Sequence, residues 1–99
     1  MVGTELAQVD PRSLRLPRSR RDGADPWKLQ IQIAKHGTAT DGMPPIFVSR
    51  GKDGELKIVD GVTRATRVAK LLPGIKVQVE VLGKLRRPKA QNRPIGDAL

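Results

Sequence analysis

Cysteine and tyrosine are absent, and the 99 residues include one tryptophan, one phenylalanine and one histidine. Without cysteine there is no disulfide, no thiolate metal ligand and no thiol nucleophile. A lone His36 speaks against a zinc site of ordinary composition. Trp27 and Phe47 are the only aromatics, so single-strand recognition by interleaved base stacking has little to work with. No apolar run approaches the roughly 20 residues that cross a bilayer, and no membrane partner is expected. Met1 to Asp10 lack the charged-then-apolar pattern of a signal peptide, and the expected compartment is the cytoplasm.

Positive charge is abundant. Lys and Arg number 19 against 10 Asp and Glu, a net charge of +9. Such an excess attracts polyanions, nucleic acid and nucleotides among them. The plainer alternative is solubility, or a basic tail with no specific partner. The length suits one domain. At 37% hydrophobic, the chain suggests a compact aliphatic centre with polar ends.

Residues 1–24 carry a short apolar trace, Val2, Leu6 and Val9, and then turn basic. Arg12, Arg15, Arg18, Arg20 and Arg21 lie among Pro11, Pro17 and Gly23, and the prolines block a continuous helix. The expectation is a basic arm, with Leu14 and Leu16 offering an edge strand. Residues 25–82 form the expected core. Asp25 and Pro26 supply an N-cap and a first helical position. Trp27, Ile31 and Ala34 recur at helical spacing, with Ile33 widening the stripe, and Gly37 supplies the C-cap. Lys35 and His36 suit the negative end of that helix.

Ile46 to Ser49, the Gly51-Lys52-Asp53-Gly54 turn and Leu56 to Val59 read as a β-hairpin. Val62 to Leu72 reads as a second helix. Its buried face is predicted at Ala65, Val68, Ala69 and Leu72, with Thr66, Arg67 and Lys70 opposite in solvent. Val77, Val79 and Val81 alternate with polar residues, which predicts a half-buried strand. A helix separates that strand from the hairpin, so it can pair parallel to one hairpin strand by a crossover. Residues 83–99 lose the pattern and read as a basic tail, mobile or draped on the surface. The fold class is α/β in the broad sense (α+β), a small mixed sheet with two main helices.

The turn Asp60-Gly61-Val62-Thr63-Arg64 carries the chemistry. A strand ends at Val59, Gly61 permits close backbone approach, and a helix begins almost at once. The first amides of a helix lack internal partners and face outward with the positive end of its dipole. Thr63 adds a hydroxyl, and Arg64 a planar fork of donors suited to phosphate oxygens. Arg64 sits at the margin of the apolar arc, so partial burial is expected. Spacing alone leaves a structural alternative equally open: Arg64 pairs with Asp60 or bonds a loop carbonyl, and Gly61 merely makes the turn.

Five stretches add a resemblance: Ile31 to Gly37, Pro45 to Val48, Ile58 to Arg64, Ala69 to Leu71 and Val77 to Val81. In this order and spacing, from about residue 8 to 82, the chain resembles the ParB N-terminal domain and sulfiredoxin superfamily. That resemblance implies a phosphate or nucleotide site at Gly61, Val62, Thr63 and Arg64, with Gly61 and Arg64 matching the fixed ends of the family's box. The sequence does not identify a cofactor; a nucleotide with magnesium is the candidate. Sulfiredoxins place their catalytic cysteine where this chain has Val62, which excludes that reductase chemistry. Nucleotide-hydrolysing ParB proteins carry an acid and a further arginine where Val62 and Thr63 stand, so hydrolysis is not carried over. These 99 residues leave no room for the ParB helix-turn-helix. What remains resembles stand-alone ParB-like domains of the nuclease-like kind, toxin effector domains among them.

Three functions compete. The first is a phosphate-ligand module for a nucleotide or nucleic-acid backbone. The second is a nuclease or phosphotransferase with Asp60 as the catalytic carboxylate, and Glu55, Asp53 and His36 as remoter options. The third is a non-catalytic basic protein that binds DNA or RNA through backbone charge. It would use the basic arm and the basic tail. The residues expected to contact nucleic acid are Arg18, Arg20 and Arg21 on the arm, with Arg67 and Lys70 on the second helix. That third function predicts that trimming residues 1–21 and 84–99 abolishes binding.

Overall fold

The valine alternation at residues 77–81 builds the strand that the rest of the sheet flanks. The computed structural model describes residues 5–99, so Met1 and Val2 lie outside the described residues. Strand β1 is Glu5–Val9, β2 Ile46–Arg50, β3 Leu56–Asp60 and β4 Val77–Lys84. Helix α1 is Pro26–His36 and α2 is Val62–Leu71. The sheet order is β1-β4-β2-β3. β4 runs antiparallel to β1 and parallel to β2, in a register that pairs Ile46 with Val79 and Val48 with Val81. β2 and β3 form the antiparallel hairpin, closed where the Gly51 amide donates to the Glu55 carbonyl at 2.7 Å. The architecture is α+β, a mixed four-stranded sheet with two helices, as the order of elements predicts. Among the described residues no helix is long and apolar enough to cross a membrane.

Helix α2 lies against β2, and α1 rests on α2. Ala65, Val68 and Ala69 join Ile46, Val48, Ile58, Val77, Val79 and Val81 in the core. Each fully buried aliphatic side chain of this kind contributes about 1.5–3 kcal/mol. α1 begins where the sequence says it should. The Asp25 carboxylate accepts from the Trp27 amide at 2.9 Å, Pro26 opens the first turn, and the Gly37 amide closes the far end on the Ile33 carbonyl at 2.7 Å. Its predicted buried stripe is a correction. Trp27 is 70% and Ile31 49% exposed, Ala34 is exposed, and the partly covered residues are Leu29, Gln32 and Ile33. α1 forms the outer layer and covers only the narrow strip that faces α2.

The ends of the chain also depart from expectation. Leu14 and Leu16 are buried, and the edge strand expected there is reduced to two isolated bridges at Arg15, to Lys57 and to Pro94. The Arg15 amide donates to the Leu56 carbonyl at 2.8 Å and its carbonyl accepts from the Ile58 amide at 2.9 Å. The segment expected as a tail closes over the other side. The Ile95 amide donates to the Leu14 carbonyl, and the Leu16 amide to the Arg93 carbonyl. Ile95 is itself a core residue, so the segment is anchored in the core at that point while most of it lies on the surface.

Asp53 fixes the middle of that closing segment. Its carboxylate accepts from the backbone amides of Lys89 and Ala90 at 3.1 and 2.8 Å. Desolvation works to raise its pKa, but those amides and that of Glu55 outweigh it and hold the carboxyl below its ordinary range. A carboxylate with a depressed folded pKa stabilises the fold above its unfolded pKa, and this is lost as pH falls through the folded value. Asp53→Asn is therefore expected to be less stable than the parent chain at neutral pH. In thermal melts the difference should shrink steadily as the pH drops below the ordinary aspartate value of 3.8. A gap independent of pH would remove the carboxylate from this role.

Candidate anion-binding site

β3 ends at Asp60, which pairs with Phe47 across the hairpin beside a register shift. The chain then turns into α2 through Gly61, at φ 111° and ψ 22°. That left-handed conformation is costly for any residue with a Cβ. A side chain would also force its neighbours to shift. A Cβ there would lie 2.9 Å from Arg64 Nη2 and 3.0 Å from Ile46 Cδ1. Gly61 thus makes the turn and also admits the guanidinium of Arg64, which folds back over it.

The two helices start differently. α1 has its Asp25 cap, whereas no side chain caps α2 and its first turn contains no acid. The amides of Val62, Thr63 and Arg64 lie at the positive end of the dipole without a side-chain acceptor, an arrangement that favours an anion. Arg64 is partly buried, as expected. Its Nη2 donates to the Pro45 carbonyl at 3.1 Å, and its buried Nε has no partner. Among the described residues it forms no ion pair with Asp60. The loop-carbonyl alternative therefore holds for one nitrogen of Arg64, and a second is left with its proton unused.

A cavity of about 500 Å³ opens at this helix start, within the usual size range of small-ligand sites. Arg20, Lys28 and Arg64 line it, together with Thr63, Asp60 and Asp25. Three cations thus face two carboxylates, and that of Asp25 is committed to capping α1. Arg20 comes from the 3₁₀ turn Arg18–Arg20. Lys28, Ile31 and Gln32 come from α1, at the spacing that places residues on one helix face. Lys28 and Gln32 escaped the sequence reading. Their spacing was visible, but only the docking of α1 on α2 turns that face toward the Gly61 turn.

Arg18, Arg20 and Arg21 together line a further hollow of about 530 Å³, and the other candidates lie apart from it. Arg18 and Arg21 also line a hollow of about 580 Å³ with Asn92 and Arg93. Lys70 is exposed and lies beside Trp27 and Leu29. Arg67, expected in solvent and available to nucleic acid, is a correction: it is 1% exposed. Its Nη1 donates to the Gly37 carbonyl at 2.6 Å, and its Nη2 to Met43 Sδ at 3.4 Å. Thr66 is buried too, its hydroxyl donating to the Val62 carbonyl at 2.7 Å. α1 and the loop after it cover this side of α2, so the helix has two buried faces where the pattern implied one.

The remoter carboxylates do not converge on the cavity. Glu55 pairs with Arg15 at 3.4 Å, and Asp53 holds backbone amides. Among the described residues, no three His, Cys, Asp or Glu side chains group to hold a metal. Magnesium carried by a nucleotide needs only one or two carboxylates, because phosphates supply further ligands. Asp60 is the one carboxylate on the cavity wall that is not committed to capping α1. Neither a scan of protein-family models nor a search of curated proteins finds a match to this chain.

Proposed function

We propose that the Gly61–Arg64 helix start holds a phosphate group of a nucleotide or of a nucleic-acid backbone. One observation carries this reading: an uncapped helix N-terminus opens into a cavity lined by Arg20, Lys28 and Arg64. The amides of Val62 and Thr63 and the Thr63 hydroxyl would donate to phosphate oxygens. Arg64 would neutralise the charge, with Arg20 and Lys28 reaching the rest of the ligand. The ParB-like succession of elements supports the same assignment, and a cytoplasmic setting suits this class of ligand.

Calorimetry against a panel of nucleotides and short DNA at low salt tests it. Arg64→Ala is expected to weaken binding about 10- to 100-fold, since a charge-assisted hydrogen bond contributes about 1.5–3 kcal/mol. No heat with any ligand, in the parent chain and the variant alike, sinks the proposal.

Asp60 supports a second reading, a nuclease or phosphotransferase, because its carboxylate lies on the wall of the same cavity. Repeating the panel with magnesium and following cleavage decides between binding and turnover. Turnover that survives Asp60→Ala takes Asp60 out of the chemistry.

A further inference from the structure

Arg67 is the only charged side chain among the described residues that the fold buries outright. A guanidinium keeps its charge at every accessible pH, and burying a charge without a counterion is expensive. Its present partners are both neutral, the Gly37 carbonyl and the Met43 thioether. The ion pairs among the described residues belong to Arg15, Arg50 and Arg93, and Arg67 Nε has no acceptor at all.

A cavity of about 350 Å³ adjoins it, between the end of α1 and the loop that leads to β2. Its wall includes Gln32, His36, Asp41, Met43, Arg64 and Arg67. Both buried orphan nitrogens of the described residues, Arg64 Nε and Arg67 Nε, therefore belong to side chains that line one hollow. Asp41 shares the wall, but it is exposed and pairs with neither arginine.

We propose that this hollow binds a phosphate-type oxyanion, which lies against the Arg64 and Arg67 side chains and supplies the counter-charge that Arg67 lacks. A tetrahedral oxyanion presents several acceptors at once, which matches guanidinium donors better than a lone carbonyl does. Gln32 and His36 bring further donors to the same wall. This site lies apart from the Gly61 helix start, shares only Arg64 and Gln32 with its cavity, and does not depend on the function proposed there. The competing role for Arg67 is a structural tie between α2 and the end of α1, which requires no anion.

Titration of the ¹⁵N-labelled chain with inorganic phosphate, at ionic strength held constant with chloride, separates these. The readouts are the Arg67 Nε–H signal and the backbone amides of Val62 and Thr63. A saturable shift of the Arg67 Nε–H signal is expected, with a dissociation constant of its own. Movement there with still amides supports this site and counts against the helix start. Moving amides with a still Arg67 signal overturn this site and support the other. Stillness at both overturns both, and one shared constant reduces them to a single site at the helix start. Phosphate is also expected to raise the thermal midpoint of the parent chain by mass action, and Arg67→Met should lose the part of that gain due to this site. If Arg67→Met does not fold, the titration of the parent chain still decides.

Discussion

Deleting residues 84–99 is expected to abolish the cooperative unfolding transition. The segment contributes Ile95 to the core and covers Leu14 and Leu16 through hydrogen bonds from the Ile95 and Leu16 amides. It also caps the hairpin, where the Leu85 amide donates to the Arg50 carbonyl at 2.7 Å and the Lys52 amide to the Arg87 carbonyl at 3.0 Å. Replacing one buried isoleucine by alanine costs about 2–5 kcal/mol, against a whole-domain stability of about 5–15 kcal/mol. Ile95→Ala alone should therefore leave a folded but weakened chain, and deletion should leave little to fold. Circular dichroism in increasing denaturant checks both. A truncated chain with the parent midpoint would show that the segment adds nothing. Trimming is accordingly a poor test of charge-only nucleic-acid binding, because it removes core along with charge. Arg18→Gln and Arg21→Gln remove charge while sparing Leu14, Leu16 and Ile95.

Gly61→Ala is expected to lower stability by about 1–3 kcal/mol, the range for a residue forced into a sparsely populated conformation. It should also lower phosphate affinity about as much as Arg64→Ala does. The added methyl meets Arg64 Nη2 at 2.9 Å and Ile46 Cδ1 at 3.0 Å. Arg64 is the more mobile of the two, so it gives way and leaves both the Pro45 carbonyl and the cavity wall. The double variant Gly61→Ala/Arg64→Ala should lose less than the sum of the singles, because removing the guanidinium relieves part of the clash. Denaturant melts and calorimetry on the four chains measure this cycle. Unchanged phosphate affinity in Gly61→Ala would separate the glycine from ligand binding.

Much of the fold was legible because the deciding signals were local. Gly51 to Gly54 announced the hairpin, the 77–79–81 valines announced β4, and Asp25, Pro26 and Gly37 bracketed α1. The partial burial of Arg64 followed from its place at the margin of the apolar arc. What was missed depended on layers rather than on elements. A helical wheel assumes one buried face, and α2 has the sheet on one side and α1 on the other. Arg67 and Thr66 were read as solvated for that reason, and Trp27 and Ile31 as buried, although α1 has no layer outside it. Ile95 was invisible to pattern reading because a single residue has no period. Arg20, one of the arm's basic residues, was assigned to nucleic acid in general. Only the placement of the 3₁₀ turn Arg18–Arg20 beside the Gly61 turn brings it to the cavity.

The embrace of Leu14 and Leu16 by Arg93 and Ile95 bears on when the protein can fold. During synthesis the hairpin and α1 can form early from neighbouring residues, but the backbone partners of the leucines are absent until residues 93–95 have been made. Loop closure over nearly the whole described chain must precede the contacts that reward it. The nascent chain therefore carries two incompletely covered leucines until residues 93–95 are made, and this part of its core is sealed only then.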